Sequence, residues 1–210
     1  MIDIYAFATP NSIKVPIALE ELGLDYILHA VNVRKGEQKS AEFITLNPHG
    51  KVPVLVDTDA GFGKRVLTES AANLVYLAEK NGILLPAAGL ERARVFEQLF
   101  FHASGLGPAF GQAGFFLRQA AGPQPLAMQR FSSEADRTVK VLDSILADHE
   151  FVAGEAFSIA DIAHFGWLWR REFAGVSLEN APNVTLWFEQ MAARPAVKRA
   201  IERVNALASV

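Results

Sequence analysis

The sequence predicts an α/β domain followed by an all-α domain, and three observations carry this prediction. Strand and helix patterns alternate over roughly the first 80 residues. From about residue 90 onward the strand patterns stop, and apolar residues recur at helical spacing. The short segment 85–89 between the two regions contains proline and glycine, as linkers do. We therefore predict domains at residues 1–82 and 90–210.

The first domain begins with a β-α-β pattern. Residues 2–7 form a short apolar and aromatic run typical of a strand, and a turn follows at 9–12. A helical pattern continues over 13–22 until Gly23, a residue type that commonly ends helices. Residues 26–33 have strand character again, so the helix is predicted to connect two parallel strands.

A short helix, a β-hairpin and a longer helix complete this domain. Residues 40–48 predict one or two helical turns that stop at the proline. Two β-rich runs, 52–57 and 65–69, flank a turn-rich joint and predict an antiparallel hairpin. Residues 70–80 follow with a helical pattern. This order of elements fits a thioredoxin-like domain.

The second domain is predicted to be helical throughout. Ser158 and Asp161 form a capping-box pattern that predicts the start of a helix. The other predicted helices span residues 91–101, 128–149, 184–193 and 196–206. Four glycines weaken the helical pattern between the first two of these, and they indicate either close helix packing or room beside a cleft. They are Gly105, Gly107, Gly111 and Gly114.

Composition excludes several classes of chemistry. The chain has 210 residues and no cysteine, so it can form no disulfide framework, zinc–thiolate site, iron–sulfur cluster or cysteine nucleophile. Its net charge of -3 argues against binding to nucleic acid or to an anionic membrane, because both require a basic face. We find no secretory signal and no membrane-spanning run, and we expect a cytoplasmic protein.

Metal binding is also not predicted. The five histidines show no paired ligand spacing. Residues 57–61 begin like a calcium loop, but the sixth and twelfth positions hold Phe62 and Thr68 instead of glycine and glutamate. A solvated hairpin turn is the better interpretation of this segment.

Three patches of the first domain have the residue types that a binding site needs. Proline within an apolar β-run belongs at a strand's start or at an edge, where Val52 before Pro53 can pair with an extended ligand. Ser70 begins a helix beside Glu69, so the pair can hold a carboxylate and an ammonium. Residues 9–12 place hydroxyl and amide donors before a helix. An ordinary edge strand and ordinary helix caps are the alternatives.

The same residues resemble a known family. The segments "TPNSIKVPIALEELGLDY", "KGEQ", "NPHGKVPVLVD" and "LTESAANLVYLAEK" look like the first domain of cytosolic glutathione transferases. The segments "GLGPAFGQ", "QRFSSEADRTVKVLD" and "FVAGEAFSIADIAHFGWLW" resemble the helical domain of the bacterial Nu class and of its yeast nitrogen-regulator-like relatives. The resemblance implies a thioredoxin-like domain joined to an all-α domain that carries the acceptor-substrate site, and usually a symmetric homodimer.

The resemblance also implies a set of glutathione-binding residues. The backbone of Val52, just before a cis Pro53, would pair with the cysteinyl part of glutathione. Glu69 and Ser70 would hold the ammonium and the carboxylate of the γ-glutamyl end. Three further residues would contact the glycyl end, the peptide backbone or the cleft, namely Gln38, Lys51 and Arg130.

The implied catalytic residues lie in the turn before the first helix. Thr9 occupies the place where relatives use a serine-like hydroxyl, and Asn11 lies beside it. Ser12 replaces the glycine common in the Nu class and is a second hydroxyl candidate. Which of the three contacts the glutathione sulfur stays open. Ala113 and Gly114 stand where bulkier polar residues are common, which would make the acceptor side wider or more apolar.

The resemblance therefore predicts a glutathione transferase with glutathione as cosubstrate, no tightly bound cofactor and no metal. The thiolate of glutathione would attack a small electrophile. Two alternatives stay open: a disulfide-bond reductase that uses two glutathione molecules, and a non-catalytic binding or regulatory protein that kept the fold.

Overall fold

A computed structural model describes residues 1–59 and 63–209. Its packing divides the chain into two compact units, Met1–Ile83 together with the segment from Ala193 onward, and Leu84–Ala192. The domain limits predicted from the sequence stay a prediction. The elements in chain order are β1 (Ile2–Ala6), α1 (Lys14–Glu21), β2 (Tyr26–Ala30), α2 (Ala41–Leu46), β3 (Val54–Asp57), β4 (Arg65–Leu67), α3 (Ser70–Asn81), α4 (Gly89–Phe101), α5 (Gly107–Arg118), α6 (Pro125–Leu146), α7 (Ile159–Trp169), α8 (Pro182–Ala193) and α9 (Pro195–Ala206).

The first unit contains a mixed sheet with the strand order β2-β1-β3-β4. β1 runs parallel to β2, with Ile4 opposite Leu28, and α1 connects the two strands. β3 pairs antiparallel with β1 and with β4. The predicted thioredoxin-like order is therefore confirmed, including the hairpin. Residues 60–62, at the turn of that hairpin and within the calcium-like pattern, lie outside the described residues.

Helices cover this sheet because their apolar faces match those of the strands. Ile17 and Leu19 of α1 and Leu74 and Leu77 of α3 are fully buried, and α1 packs against α3. Gly82 ends α3 with a φ of 71°, a left-handed conformation that glycine adopts at little cost.

Among the described residues, the last α-helix, α9, packs against α1 within the first unit. Arg194 donates to both carboxylate oxygens of Glu21 at 2.6 and 2.9 Å. Arg199 forms an ion pair with Glu20 at 2.6 Å. These contacts join residues more than 170 positions apart in sequence.

The second unit is built from α4 to α8 and is helical as predicted, although α5 is not among the individually predicted helices because its glycines weaken the pattern. α6 begins three residues before the predicted start because Pro125 occupies its first turn, where proline loses no helical hydrogen bond. The predicted capping box is present at the start of α7. The carboxylate of Asp161 accepts hydrogen bonds from the backbone N–H of Ser158, its hydroxyl, the N–H of Val152 and the indole of Trp187.

The clustered glycines permit close packing in this unit. A Cβ at Gly107 would lie 3.2 Å from the indole nitrogen of Trp167, and a Cβ at Gly114 would collide with the ring of Phe173. The close-packing explanation therefore accounts for these two positions. Within the described part of the chain, no helix is both long and apolar enough to cross a membrane.

Candidate functional site

The turn between β1 and α1 holds the three predicted catalytic residues in a hydrogen-bonded loop. The hydroxyl of Thr9 donates to Oγ of Ser12 at 2.9 Å, and the backbone N–H of Ser12 donates to Oγ1 of Thr9 at 3.2 Å. Ser12 also accepts from the N–H of Phe7 at 3.4 Å. Ser12 is fully buried, whereas Thr9 and Asn11 are partly exposed. This arrangement favours Thr9 and Asn11 as the groups that a ligand can reach.

A buried lysine lies next to these residues. Lys14 is 2% exposed, and its amino group donates to the amide oxygen of Asn11 at 2.8 Å and to the hydroxyl of Ser70 at 3.4 Å. Burial lowers the pKa of Lys14 to about 7, although the charge of Glu69 opposes this shift. Lys14 was absent from the predicted site. The sequence feature that could have indicated its role is that Lys14 is the one charged residue in the otherwise apolar run from Ile13 to Ile17.

The start of α3 has an uncommon cap. Ser70 is the first residue of the helix, and Glu69 precedes it in an extended conformation with no side-chain capping bond. The alternative of an ordinary serine cap is therefore wrong at this position. Ser70 is partly buried and Glu69 is exposed, so the helix N-terminus and a carboxylate face solvent side by side.

The segment before β3 leaves a short stretch of backbone outside the sheet. The Val52–Pro53 peptide bond is cis, as the resemblance implies. Pro53 is buried, Val52 is partly exposed, and the sheet pairing starts only at Val54. The edge-strand alternative is wrong because β3 lies between β1 and β4. The side chain of Asn47 holds this segment by donating to the carbonyl of Lys51 at 2.7 Å.

The remaining predicted residues lie in two different units. Gln38 belongs to a short 3₁₀ turn of the first unit, and its buried amide oxygen has no hydrogen-bond partner among the described residues. Lys51 is exposed in the same unit. Arg130 is exposed on α6 of the second unit. The roles of these three residues stay predictions.

The structure thus brings together the predicted thiol end and the predicted γ-glutamyl end of the site through one side chain. Lys14 connects Asn11 of the β1–α1 turn to Ser70 of α3. The buried amine of Lys14 therefore contacts the amide of Asn11 and the hydroxyl of Ser70 at the N-terminus of α3, and it feels the charge of the Glu69 carboxylate. Such a site suits a small zwitterionic ligand with an anionic group at each end.

Metal binding is not predicted from the sequence, and the calcium-like pattern at residues 57–61 is interpreted as a hairpin turn. Within residues 1–59 and 63–209, no three histidine or acidic side chains are grouped so as to hold a metal ion. Asp57, from the calcium-like pattern, accepts hydrogen bonds from the hydroxyl of Tyr76 at 2.7 Å and from the amine of Lys80 at 2.5 Å. Burial would raise the pKa of Asp57, but these bonds and the N–H of Asp59 outweigh it and lower the pKa.

Comparison with known proteins agrees with this fold. The protein-family model for the glutathione S-transferase N-terminal domain matches residues 8–80 of this sequence. The family model for the glutathione S-transferase C-terminal domain matches residues 108–195. The disulfide-bond oxidoreductase YfcG of Escherichia coli (strain K12) is 39% identical, over 96% of this chain and 94% of YfcG.

Solved structures give the same result. A glutathione transferase family member from Pseudomonas fluorescens pf-5, solved with two glutathione bound, is 37% identical with a TM-score of 0.90, over 96% of this chain and 92% of that one. A glutathione transferase from Pseudomonas putida, solved with one glutathione disulfide per subunit, is 35% identical with a TM-score of 0.88, over 95% and 90%.

A thioredoxin-like unit followed by a helical unit is the two-domain fold that these glutathione transferase structures share. The chain belongs to the glutathione S-transferase family. The family resemblance and the fold class predicted from the sequence are both confirmed.

Proposed function

We propose that the protein binds glutathione along its first unit and stabilises the glutathione sulfur as a thiolate. The observation that carries this proposal is the accessible pair of Thr9 and Asn11 at the end of β1, joined through Lys14 to Ser70. Glu69 and Ser70 receive the ammonium and carboxylate of the γ-glutamyl end, and the backbone of Val52 receives the cysteinyl part. Gln38, Lys51 and Arg130 complete the proposed set.

The energetic requirement for such a site is modest. A free thiol has a pKa of about 8.5, so only a few per cent is ionised at pH 7. Lowering this pKa to about 6.5 requires roughly 2.7 kcal/mol. One hydrogen bond from a hydroxyl or an amide to an anion contributes about 1.5–3 kcal/mol. Thr9 and Asn11 can therefore supply the stabilisation, and the protein needs no thiol of its own.

The first proposed reaction is transfer of glutathione to a small electrophile. The thiolate attacks the electrophilic carbon, a carbon–sulfur bond forms, and the leaving group departs with its electron pair. The test is thioether formation from glutathione and a chloronitroaromatic. We expect Asn11→Ala and Thr9→Ala to lower the rate about tenfold or more, consistent with loss of one donor to an anion. An inactive unchanged protein would reject the transferase reaction.

The second proposed reaction is reduction of a disulfide by two glutathione molecules. The first thiolate attacks one sulfur of the substrate disulfide, whose S–S bond breaks and whose other sulfur leaves as a thiol. A second glutathione attacks the resulting mixed disulfide and yields glutathione disulfide and the reduced substrate, so that two electrons come from two glutathione molecules. The similarity to YfcG, which is named a disulfide-bond oxidoreductase, and to the Pseudomonas fluorescens protein, which was solved with two glutathione bound, favours this candidate.

One pair of measurements distinguishes the two reactions. A coupled assay on hydroxyethyl disulfide, with glutathione disulfide as the detected product, reports the reductase. A soaked crystal shows whether one or two glutathione molecules bind each chain. Two bound molecules with turnover of the disulfide support the reductase, while one bound molecule and thioether formation alone support the transferase.

The non-catalytic alternative is tested by binding alone. Calorimetry that detects no glutathione binding at millimolar ligand would favour a protein that kept only the fold.

We also propose a homodimer, as is usual in the family, and a cytoplasmic location, because a glutathione-dependent reaction uses the reduced pool that the cytosol maintains. Sedimentation and cell fractionation test these two points.

A further inference from the structure

We propose that Lys14 is a positioning residue of the glutathione site: it holds the amide of Asn11 with its NH₂ group toward the sulfur and supplies a buried positive charge that stabilises the thiolate. This inference rests on the proposed function. It is carried by the position of the amino group, 2.8 Å from Oδ1 of Asn11 and 3.4 Å from Oγ of Ser70, on a side chain that is 2% exposed.

The hydrogen bond to Asn11 decides which half of its amide faces the ligand. An ammonium only donates hydrogen bonds, so it requires the oxygen of the amide on its own side. The NH₂ group, which is the donor, then lies on the side away from Lys14. A thiolate requires such a donor, whereas the amide oxygen would repel it. Without Lys14 the amide loses the contact that fixes this orientation.

The charge of Lys14 acts over the same short distance. A thiolate bound to Asn11 is separated from the lysine nitrogen by a single amide group. Electrostatic attraction is several-fold stronger in the protein interior than in water because the effective dielectric constant is lower. The position beside Ser70 also favours a carboxylate at the start of α3, so the charge serves both anionic groups of glutathione.

The charged groups around Lys14 determine when it is protonated. Glu69, at the start of α3, is the acid whose charge raises the pKa of Lys14, against the larger effect of burial. Arg194, which immediately precedes α9, and Arg199 of α9 are paired with Glu21 and Glu20 of α1. The net effect of burial and of the Glu69 charge lowers the pKa of Lys14 to about 7. A bound thiolate adds a negative partner, and we therefore expect glutathione binding to raise the pKa of Lys14.

The test is the pKa of the glutathione thiol while it is bound, followed through the ultraviolet absorbance of the thiolate over a pH series. Lys14→Met keeps an unbranched side chain and removes the amine. We expect Lys14→Met to raise the pKa of the bound thiol by about one unit. At a pH below the thiol pKa, this change corresponds to about tenfold less thiolate. Lys14→Arg keeps the charge and the donors, and should stay within about half a unit of the unchanged protein.

Lys198→Met is the matched control, because Lys198 is exposed on α9 and its loss should leave the bound thiol unchanged. A folded Lys14→Met protein that binds glutathione with an unchanged thiol pKa would overturn the inference and leave the proposed function standing. Absence of glutathione binding by the unchanged protein would overturn both. If Lys14→Met fails to fold, an Arg variant with a thiol pKa near that of free glutathione would overturn the inference.

Discussion

The amino group of Lys14 donates a hydrogen bond to the amide oxygen of Asn11, 2.8 Å away, although Lys14 is almost completely buried. A buried amine is costly unless polar groups compensate it, and here Asn11, Ser70 and the charge of Glu69 do so. The protein therefore keeps a buried amine at the place where we propose that the glutathione thiolate binds. This relationship makes the stability of the first unit depend on pH.

The ionisation of Lys14 predicts such a dependence. Folding lowers the pKa of Lys14 from 10.5 to about 7, so the unfolded chain binds more protons between these values. Stability should therefore rise with pH across this window, by up to about 1.4 kcal/mol per pH unit. Urea unfolding of the unchanged protein and of Lys14→Met at several pH values between 7 and 9 measures the difference. A difference independent of pH would contradict this ionisation.

Glu69 should contribute to glutathione affinity through its charge. Glu69→Gln keeps the size of the side chain and removes the partner of the γ-glutamyl ammonium, so we expect about tenfold weaker binding, or about 1.4 kcal/mol. Calorimetry with glutathione measures the change. Glu42→Gln, an exposed glutamate on α2, is the control. Equal losses in the two variants would count against a specific role for Glu69.

Tyr76 should stabilise the first unit through the carboxylate of Asp57. Tyr76→Phe removes a hydrogen bond of 2.7 Å and should lower the free energy of unfolding at pH 7 by about 1 kcal/mol. The contacts of Asp57 lower its pKa, so its contribution is present above the unfolded pKa and is lost as pH falls through the folded pKa. The variant should therefore approach the unchanged protein in acid.

Urea unfolding at pH 7 and near pH 3 checks the prediction for Tyr76. Tyr5→Phe is the matched control, since the ring of Tyr5 stacks on His29 and that contact survives the substitution. We expect its free energy of unfolding to change by less than about 0.5 kcal/mol. A loss in Tyr76→Phe that is as large near pH 3 as at pH 7 would be inconsistent with the role of Asp57.

Asp161 should be a principal stabilising residue of the second unit. Its carboxylate is fully buried and accepts four hydrogen bonds, including those from Val152 and Trp187 at 3.0 Å each. Asp161→Ala leaves these donors without an acceptor and should cost at least about 3 kcal/mol. Asp136→Ala, at an exposed position of α6, is the control. A melting temperature shared by both variants would reject this role.

Local patterns were sufficient to predict most of the fold. The alternation of strand and helix in the first unit, the capping box of Ser158 and Asp161, and the helix start at Ser70 each depend on residues within one or two turns of one another. The turn with Thr9 and Asn11 was also placed correctly before α1, because turn-forming residues there interrupt two regular patterns.

The sequence by itself determined the order of elements, the family and the chemical types at the site, since these depend on local spacing and composition. Only the tertiary structure decided that Ser12 is buried, that Lys14 joins Asn11 to Ser70 across 56 positions, and that Arg194, just before α9, pairs with Glu21. Each of these depends on how α1 packs against distant elements. The burial and charge of a side chain are set by such neighbours, which no spacing along the chain specifies.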